Sequence, residues 1–293
     1  MKRRGAARVA GVVALLVLAG CGGAAGPADT PTEQGTMTPA PLPETTTPTG
    51  EPAQVTPSPT PTVGEPQGTV IAPGVSERGV FDPGRLADAH ERRLRNVTHQ
   101  FVRTTTVTGP SGSLLNVTRT LRVGPSGSPY RYVEQVRSAD AYPIRSKNRV
   151  EVWSNGIPVY RIGVEDVRYR VGTVTGPEGA VGDRSGRDRL AVLYAGATEW
   201  SVTVRNGPDG PHTIETRLPS PDEVVTVPEA VSEPGTAELR VVLTPSGRVV
   251  SYRLRYDATF DGERVEVVHR GRFRPVNGTV TPPEWVDDAR AAT

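Results

Sequence analysis

Most of the chain after residue 97 alternates between apolar and polar residues, which is typical of β-strands with one covered and one solvated face. The clearest segment is 250–260, where Val250, Tyr252, Leu254 and Tyr256 alternate with polar residues. The same period recurs at 115–123, 167–171, 200–204 and 265–273. The pairs Asn155-Gly156, Asp209-Gly210 and Asp261-Gly262 are turn formers between neighbouring strands and favour antiparallel hairpins. The pattern predicts about ten antiparallel strands.

Two segments have helical rather than strand periodicity. Asp82 is a good N-cap, Pro83 suits the first helical position, and Leu86 and Leu94 recur on one face, so we expect a helix over 83–95. A second short helix is expected over 187–195. Two short helices cover little of a ten-stranded sheet, which must therefore curl, pair with a partner or hold something apolar. The fold class predicted for residues 76–293 is a single α+β domain with a curled antiparallel sheet.

The first 21 residues are typical of an export signal that ends in a lipidation site. Lys2, Arg3, Arg4 and Arg8 precede an apolar run over 9–18, too short for a membrane-spanning helix. The following segment, 18–21, resembles a lipobox, and its Cys21 is the only cysteine of the chain. The sequence therefore predicts a signal peptide over residues 1–20 and a lipid anchor on Cys21, at the extracytoplasmic face of the cell membrane.

Residues 21–75 have the composition of a disordered spacer. They contain 12 Thr and 12 Pro, with only five charged residues. Such a segment cannot form a core and favours polyproline II or open coil. We expect a linker that holds the folded domain away from the membrane.

Charge excludes a nucleic-acid function. The whole chain of 293 residues has 34 Lys+Arg and 32 Asp+Glu. Residues 1–20 contain four of the bases and no acid, so the mature chain has 34 − 4 = 30 bases against 32 acids, a net charge of −2. No basic surface for nucleic acid is expected from that balance.

No motif in the sequence predicts catalysis, a metal site or a cofactor. The single cysteine is assigned to the lipid anchor, no Ser lies in a G-x-S-x-G elbow, and no phosphate loop occurs. The four His are scattered without metal-ligand spacing. His99 and His269 share the parity of apolar neighbours, and a hydrogen-bonded interior His is the expected role. Asp287-Asp288 is expected in a solvated tail. The sequence indicates a protein that is not an enzyme.

Two kinds of binding or modification site remain. The covered face of the sheet carries most of the aromatic residues, and its ligand-binding candidates are Trp200, Tyr252, Leu254, Tyr256 and His269. Three triplets match the N-glycosylation sequon, beginning at Asn96, Asn116 and Asn277. Asn116 has the parity of the polar face and is the first candidate among them.

Several segments together resemble a known group of proteins. The lipobox, the Thr/Pro-rich linker, the segment 81–90 (FDPGRLADAH) and the terminal segment 282–286 (PPEWV) resemble an uncharacterised lipoprotein family of halophilic archaea. The helix-plus-curled-sheet pattern is in turn similar to LolA-like lipoprotein carriers and mycobacterial lipid-binding lipoproteins. That resemblance implies a half-open antiparallel barrel around an apolar cavity closed by helices.

Two functional hypotheses follow. The first is a membrane-anchored surface lipoprotein that binds or carries a hydrophobic or lipid ligand. The alternative is a cell-envelope structural module, a protein or glycan interaction module, or a sensor, without a ligand cavity. The expected partners are membrane lipid through Cys21 and a hydrophobic ligand; a protein partner stays open.

Overall fold

The computed structural model describes residues 65–143, 149–164, 166–172, 183–204 and 210–292. The predicted signal peptide, Cys21 and most of the predicted linker lie outside the described residues. None of the helices in the described part is long and apolar enough to cross a membrane.

The described residues form three α-helices and fourteen strands. The helices are α1 (Pro83–Leu94), α2 (Arg187–Ala195) and α3 (Trp285–Ala291). The strands are β1 (Val70–Ala72), β2 (Val75–Ser76), β3 (Gly79–Val80), β4 (His99–Gly109), β5 (Gly112–Val123), β6 (Tyr130–Ser138), β7 (Arg149–Ser154), β8 (Pro158–Ile162), β9 (Arg168–Val171), β10 (Trp200–Val204), β11 (His212–Leu218), β12 (Ala237–Leu243), β13 (Val249–Phe260) and β14 (Glu263–Pro275).

The main sheet has eleven strands, all antiparallel, and confirms the predicted class. Its order is β10-β11-β12-β13-β14-β4-β5-β6-β7-β8-β9. Two meanders, β4 to β9 and β10 to β14, therefore meet where β14 pairs with β4, and the curled sheet stays open between β9 and β10. The turn at Asp261-Gly262 is as predicted: both residues have positive φ, as a two-residue type I′ hairpin requires. Asn155-Gly156 joins β7 to β8, whereas Asp209 lies outside the described residues.

Helices α1 and α2 cover one face of the sheet, which we call the inner face. Asp82 caps α1 as predicted, accepting a hydrogen bond from the Arg85 amide at 2.8 Å. The two helices are joined by an ion pair between Arg187 and Asp88 at 2.9 Å. Apolar residues of both helices pack with inner-face residues of β10 to β14 in the largest core cluster. The predicted bounds of α2 agree with the structure, and α1 ends one residue earlier than predicted.

Helix α3 was not predicted, and it covers the opposite, outer face. Trp285, Val286 and Ala289 are buried against Trp153 and Val159 of β7 and β8. The expectation of a solvated tail is therefore wrong for the face of α3 that these residues form, although Asp287 and Asp288 themselves remain exposed. Helix α3 has seven residues, too few to show a clear period in the sequence. Its distinguishing feature is the burial of Trp285, which the sequence pattern does not show.

Next to α3, the outer face contains a charged network centred on Glu151. This carboxylate is 2% exposed and pairs with Arg131 at 2.9 Å, Arg149 at 2.9 Å and Arg161 at 3.2 Å. Burial raises the pKa of Glu151, but hydrogen bonds from Arg131 and Arg149 outweigh it and hold the pKa below its ordinary value. The network ties β6, β7 and β8 together.

A small sheet precedes α1. Strands β1, β2 and β3 pair in that order over residues 70–80, and Ala72 and Val75 join the main core. Strand structure thus begins inside the segment 21–75 that the composition assigned to a linker. Thr and Pro dominate only the earlier part of that segment, so averaging over all of it concealed the strands.

Candidate ligand-binding face

The centre of the inner face is more accessible than its flanks. On three adjacent central strands, five inward-pointing side chains remain partly exposed, and we call them the central strip: Phe101, Arg103, Arg119, Tyr132 and Glu134. The register explains their proximity, because Arg103 lies opposite Arg119, which lies opposite Glu134. Phe101 and Tyr132 both lie opposite Leu121, from its two sides. The strip therefore combines charged and aromatic groups on one concave surface.

Apolar clusters flank the strip on both sides. One is the main core under α1 and α2. The other consists of strand residues alone, with no helix residue among its described members: Leu121, Val123, Tyr130, Val150, Val152, Tyr160 and Ile162. Phe101 packs against both clusters and stacks on Phe273 with ring centroids 4.1 Å apart. An amphipathic surface results, with a charged middle and apolar sides.

Glu134 has its partners within the strip. It forms an ion pair with Arg119 and accepts a hydrogen bond from the Tyr132 hydroxyl at 2.9 Å. Burial, together with the charge of Glu134, raises the pKa of Tyr132, so this phenol stays protonated and remains a donor. One carboxylate thus neutralises one guanidinium.

Arg103 has no such partner. Neither an ion pair nor a hydrogen bond joins its guanidinium to any residue in the described ranges. Burial, with the neighbouring charges of Arg189 and Arg119, lowers the pKa of Arg103 to about 10. Arg189 belongs to α2, and its buried Nε atom also lacks a hydrogen-bond partner in the described structure. Positive charge therefore exceeds negative charge at the strip.

His269 lies beside the strip and is neutral. Its Nδ1 is 3.0 Å from the Thr105 hydroxyl and its Nε2 is 3.3 Å from the Tyr256 hydroxyl. Burial, with repulsion from Arg189, Arg103 and Arg119, lowers the pKa of His269 to about 3. These contacts agree with the predicted role of His269 as a hydrogen-bonded interior His.

The structure brings four of the five predicted ligand residues together, but inside the core. Tyr252, Leu254, Tyr256 and His269 are all at most 3% exposed, and the first three belong to the cluster that includes both helices. A ligand reaches them only if segments that pack in this cluster, α1 and α2 among them, move away from the sheet. Trp200, the fifth, lies apart on edge strand β10, where it is partly exposed and makes an edge contact with Tyr194.

The residues of the central strip were missed as a set, although a signal for them was present. Arg103 has the same parity as Phe101 and Val107, and Arg119 has the same parity as Val117 and Leu121. An arginine at an inward position of an otherwise apolar strand is unusual, since charged residues are almost never fully buried unless paired. What the sequence lacked was the register that places these positions side by side.

Two of the other histidines, His90 and His99, have structural roles. His90 is fully buried and connects three segments: its Nε2 donates to the Ser185 carbonyl and its Nδ1 accepts from the Val249 amide, both at 3.0 Å. Burial lowers the pKa of His90 to about 4. His99 contacts the carbonyls of Val97 and Arg184. The part of the chain that the structure describes contains no group of three His, Cys, Asp or Glu arranged to hold a metal ion.

The three sequons differ in accessibility. Asn96 and Asn277 are exposed. Asn116 is on the outer face, as its parity predicts, but is only partly exposed, and its Oδ1 accepts a hydrogen bond from the Thr118 hydroxyl at 3.2 Å. Accessibility therefore favours Asn96 and Asn277 over Asn116 as candidates.

A separate groove lies mainly on the outer face. Its volume is about 520 Å³ and it is lined mostly by charged side chains of β10 to β13, with Trp200 at its edge. Arginines and glutamates both contribute, including the pair of Arg240 and Glu215 at 3.3 Å. This surface is polar and does not continue the inner face.

The fold and the strip define the class of molecule: an α+β protein with an open, curled antiparallel sheet and an amphipathic inner face. No family model matches the sequence. No curated protein matches it either.

Solved structures that align with most of this chain do so at low sequence identity and low TM-score. LprF from Mycobacterium bovis is 13% identical, with a TM-score of 0.34, and the alignment covers 69% of this chain and 96% of LprF. A LolA superfamily protein from Nitrosomonas europaea is 9% identical with a TM-score of 0.27, covering 70% and 96% of the two chains. A DUF1329 family protein from Desulfovibrio piger is 11% identical with a TM-score of 0.27, covering 68% and 95%. The halophilic archaeal family has no support among these comparisons.

Proposed function

We propose that the protein is a non-catalytic, membrane-tethered lipoprotein that binds a hydrophobic or amphipathic ligand, such as a lipid, on the inner face of its sheet. Residues 1–21 supply the tether in this proposal, through export and lipidation of Cys21 at the extracytoplasmic face of the membrane. The linker holds the sheet clear of that membrane.

One observation carries the proposal: the aromatic side chains of Phe101 and Tyr132 remain partly exposed on a concave face whose flanks are apolar and buried. Apolar surface left in contact with water costs about 25 cal/mol per Å². A ligand that covered these two rings would recover that free energy.

On the described part of the inner face, no accessible imidazole lies beside a hydroxyl, and we propose binding rather than catalysis. The only hydroxyl and imidazole pair near the strip in the described structure is Thr105 with His269, at 3.0 Å. Both residues are at most 5% exposed, and the pKa of His269 leaves it a very weak base. Thr105 and His269 therefore form a hydrogen bond inside the core.

The proposal is tested by extracting the purified protein with organic solvent and identifying bound lipids by mass spectrometry. We expect about one lipid per chain from the wild type and clearly less from Phe101→Ser, which removes an aromatic ring of the strip. Val102→Ser is the matched control, because Val102 is the next residue on the same strand, equally partly exposed, and on the outer face. A folded wild-type protein that carries no lipid out of its native membranes would overturn the proposal.

A second candidate is recognition of a protein or a glycan, and the outer groove favours it. Its charged lining suits polar contacts rather than lipid. Clean protein in the extraction experiment, together with weaker partner capture by a variant such as Arg253→Glu in the groove, would move the function to this surface.

A further inference from the structure

The central strip holds more positive charge than the described structure neutralises. Three guanidinium groups converge on it, from Arg103 on β4, Arg119 on β5 and Arg189 on α2, and the ion pair of Arg119 uses the one carboxylate, Glu134. Arg103 and Arg119 lie directly opposite each other on paired strands, and the charge of Arg189 acts on both Arg103 and His269. Two positive charges are left over among these four groups.

The unpaired arginines are also short of hydrogen-bond acceptors. A guanidinium has five N–H donors, yet Arg103 donates none of its hydrogen bonds to residues of the described ranges, and the buried Nε of Arg189 has no acceptor there. The Tyr252 and Tyr194 hydroxyls, which are close by in the same core, are buried without partners too. Several hydrogen-bond donors in this part of the core therefore lack an acceptor in the described structure.

Burying an unpaired charge is unfavourable, so a fold keeps one mainly where another interaction compensates for it. Arg103 has the same parity as apolar residues of β4 and would pack there as a Leu or a Met without that penalty. Retaining arginines at this place is understandable if an anion fills the region when the protein is occupied. Perturbed charged groups of this kind cluster at functional sites.

We propose that the ligand of the inner face carries an anionic phosphate group, which Arg103 and Arg189 bind while its acyl chains cover the partly exposed rings of Phe101 and Tyr132. This inference rests on the proposed function and narrows it from a hydrophobic ligand to an anionic amphiphile. Guanidinium groups suit this task because their planar N–H pairs match two phosphate oxygens at once. Glu134 holds Arg119 in place and keeps phosphate away from that side of the strip, so the headgroup lies nearer to Arg103 and Arg189.

The test compares two lipids that differ only in the phosphate. Dihexanoylphosphatidic acid and dihexanoylglycerol, both below their micelle concentrations, are titrated by calorimetry into the full chain carrying Cys21→Ser and stripped of lipid. We expect the phosphatidic acid to bind about 10- to 100-fold more tightly, the range for hydrogen bonds between charged groups. Arg103→Met and Arg189→Met should each remove most of that preference, measured as the ratio of the affinities for the two lipids.

Arg270→Met is the matched control. Arg270 is adjacent to Gly271, the strand partner of Arg103, but it lies exposed on the outer face. It should retain the full preference for the phosphatidic acid. A loss of preference in Arg270→Met equal to that in Arg103→Met would show a general effect of net charge and overturn the assignment.

The outcomes separate the inference from the proposed function. Equal affinity of the wild type for both lipids would overturn the anionic headgroup and leave hydrophobic binding standing. Binding of neither lipid would overturn both. Inorganic phosphate that binds as tightly as the phosphatidic acid would identify a free anion as the ligand and overturn the lipid part.

A stability measurement guards against simple misfolding. Because Arg103 is only partly exposed and has no partner among the described residues, Arg103→Met should raise the Tm of the lipid-free protein, whereas a residue that only supports the fold would lower it. The phosphatidic acid should raise the Tm of the wild type more than that of Arg103→Met. A lower Tm for lipid-free Arg103→Met would contradict the unpaired state of this arginine.

Discussion

Gly271 lies under the ring of Tyr252, and replacing it with alanine tests the packing behind the central strip. Gly271 is a central residue of β14, paired with Tyr252 on one side and Arg103 on the other. A Cβ atom at this position would be 2.1, 2.5 and 2.7 Å from three ring atoms of Tyr252. Ordinary carbon–carbon contacts are about 3.5–4.0 Å. The ring must therefore move by more than an ångström.

The neighbours of Tyr252 decide what that movement costs. The ring is 3% exposed and packs in the main core, with the ring of Phe101 at a centroid distance of 6.5 Å, so it has no free space to enter. Overpacking a core costs about 1–3 kcal/mol, while replacing Gly by Ala in a strand recovers about 0.5–1 kcal/mol. We expect Gly271→Ala to lose about 2 kcal/mol of unfolding free energy.

The assay is urea unfolding followed by the fluorescence of the three tryptophans. Gly84→Ala is the control, because a Cβ atom there meets only the Asp82 carboxylate at an ordinary 3.6 Å. It should be neutral or slightly stabilising in helix α1. The decisive comparison is the background Tyr252→Ala, in which Gly271→Ala should cost almost nothing since the ring is absent. A loss of about 2 kcal/mol in both backgrounds would refute the reasoning.

Four other perturbations have defined outcomes. Glu151→Gln removes the carboxylate shared by three arginines and should lower the unfolding free energy by about 1–3 kcal/mol at pH 7. Because the pKa of Glu151 is lowered, this difference from the wild type in urea unfolding should shrink as the pH falls through that pKa. An equal difference at pH 7 and pH 2 would contradict the ion-pair account. His90 has a pKa of about 4 in the folded protein against 6.5 in the unfolded chain, so its contribution to the unfolding free energy is present above pH 6.5 and falls by about 3 kcal/mol as the pH falls to 4. His90→Gln should flatten the pH dependence of the unfolding free energy in this window. An unchanged slope would show that another group titrates. Cys21→Ser should leave the membrane fraction or stay as an uncleaved precursor, and a variant of mature size that remains in the membrane would refute lipidation. Asn96→Gln should lower the mass of the exported protein by one glycan, which intact-mass spectrometry detects.

The strand pattern shows how far a local signal reaches. Along β13, the alternation of Tyr252, Leu254 and Tyr256 with arginines identifies the strand and its buried face, because one covered side is sufficient to set the period. The turn at Asp261-Gly262 identifies the hairpin because positive φ at both positions needs such residues. Both are properties of a few neighbouring residues, so both could be predicted.

The candidate site shows where a local signal stops. Tyr252, Leu254 and Tyr256 were chosen as ligand residues because their face was expected to be open, but α1 and α2 cover it. A strand face can be covered by a helix of the same chain or left open to a ligand, and the outcome depends on how the helices pack on the sheet. Nothing in the period of a strand contains that information.

The sequence by itself determined the class of fold, the two helices on the inner face and the paired strands, since periodicity, caps and turn residues act over a few positions. Only the tertiary structure decided the sheet order, in which β14 joins β4 and brings residues 158 or more positions apart, such as Arg103 and Gly271, side by side. It also decided that the strand residues Arg103 and Arg119 and the helix residue Arg189 lie near a single carboxylate, that of Glu134. The reason is physical: burial and charge balance depend on distances between side chains, and those distances are established only when separate strands and helices pack together.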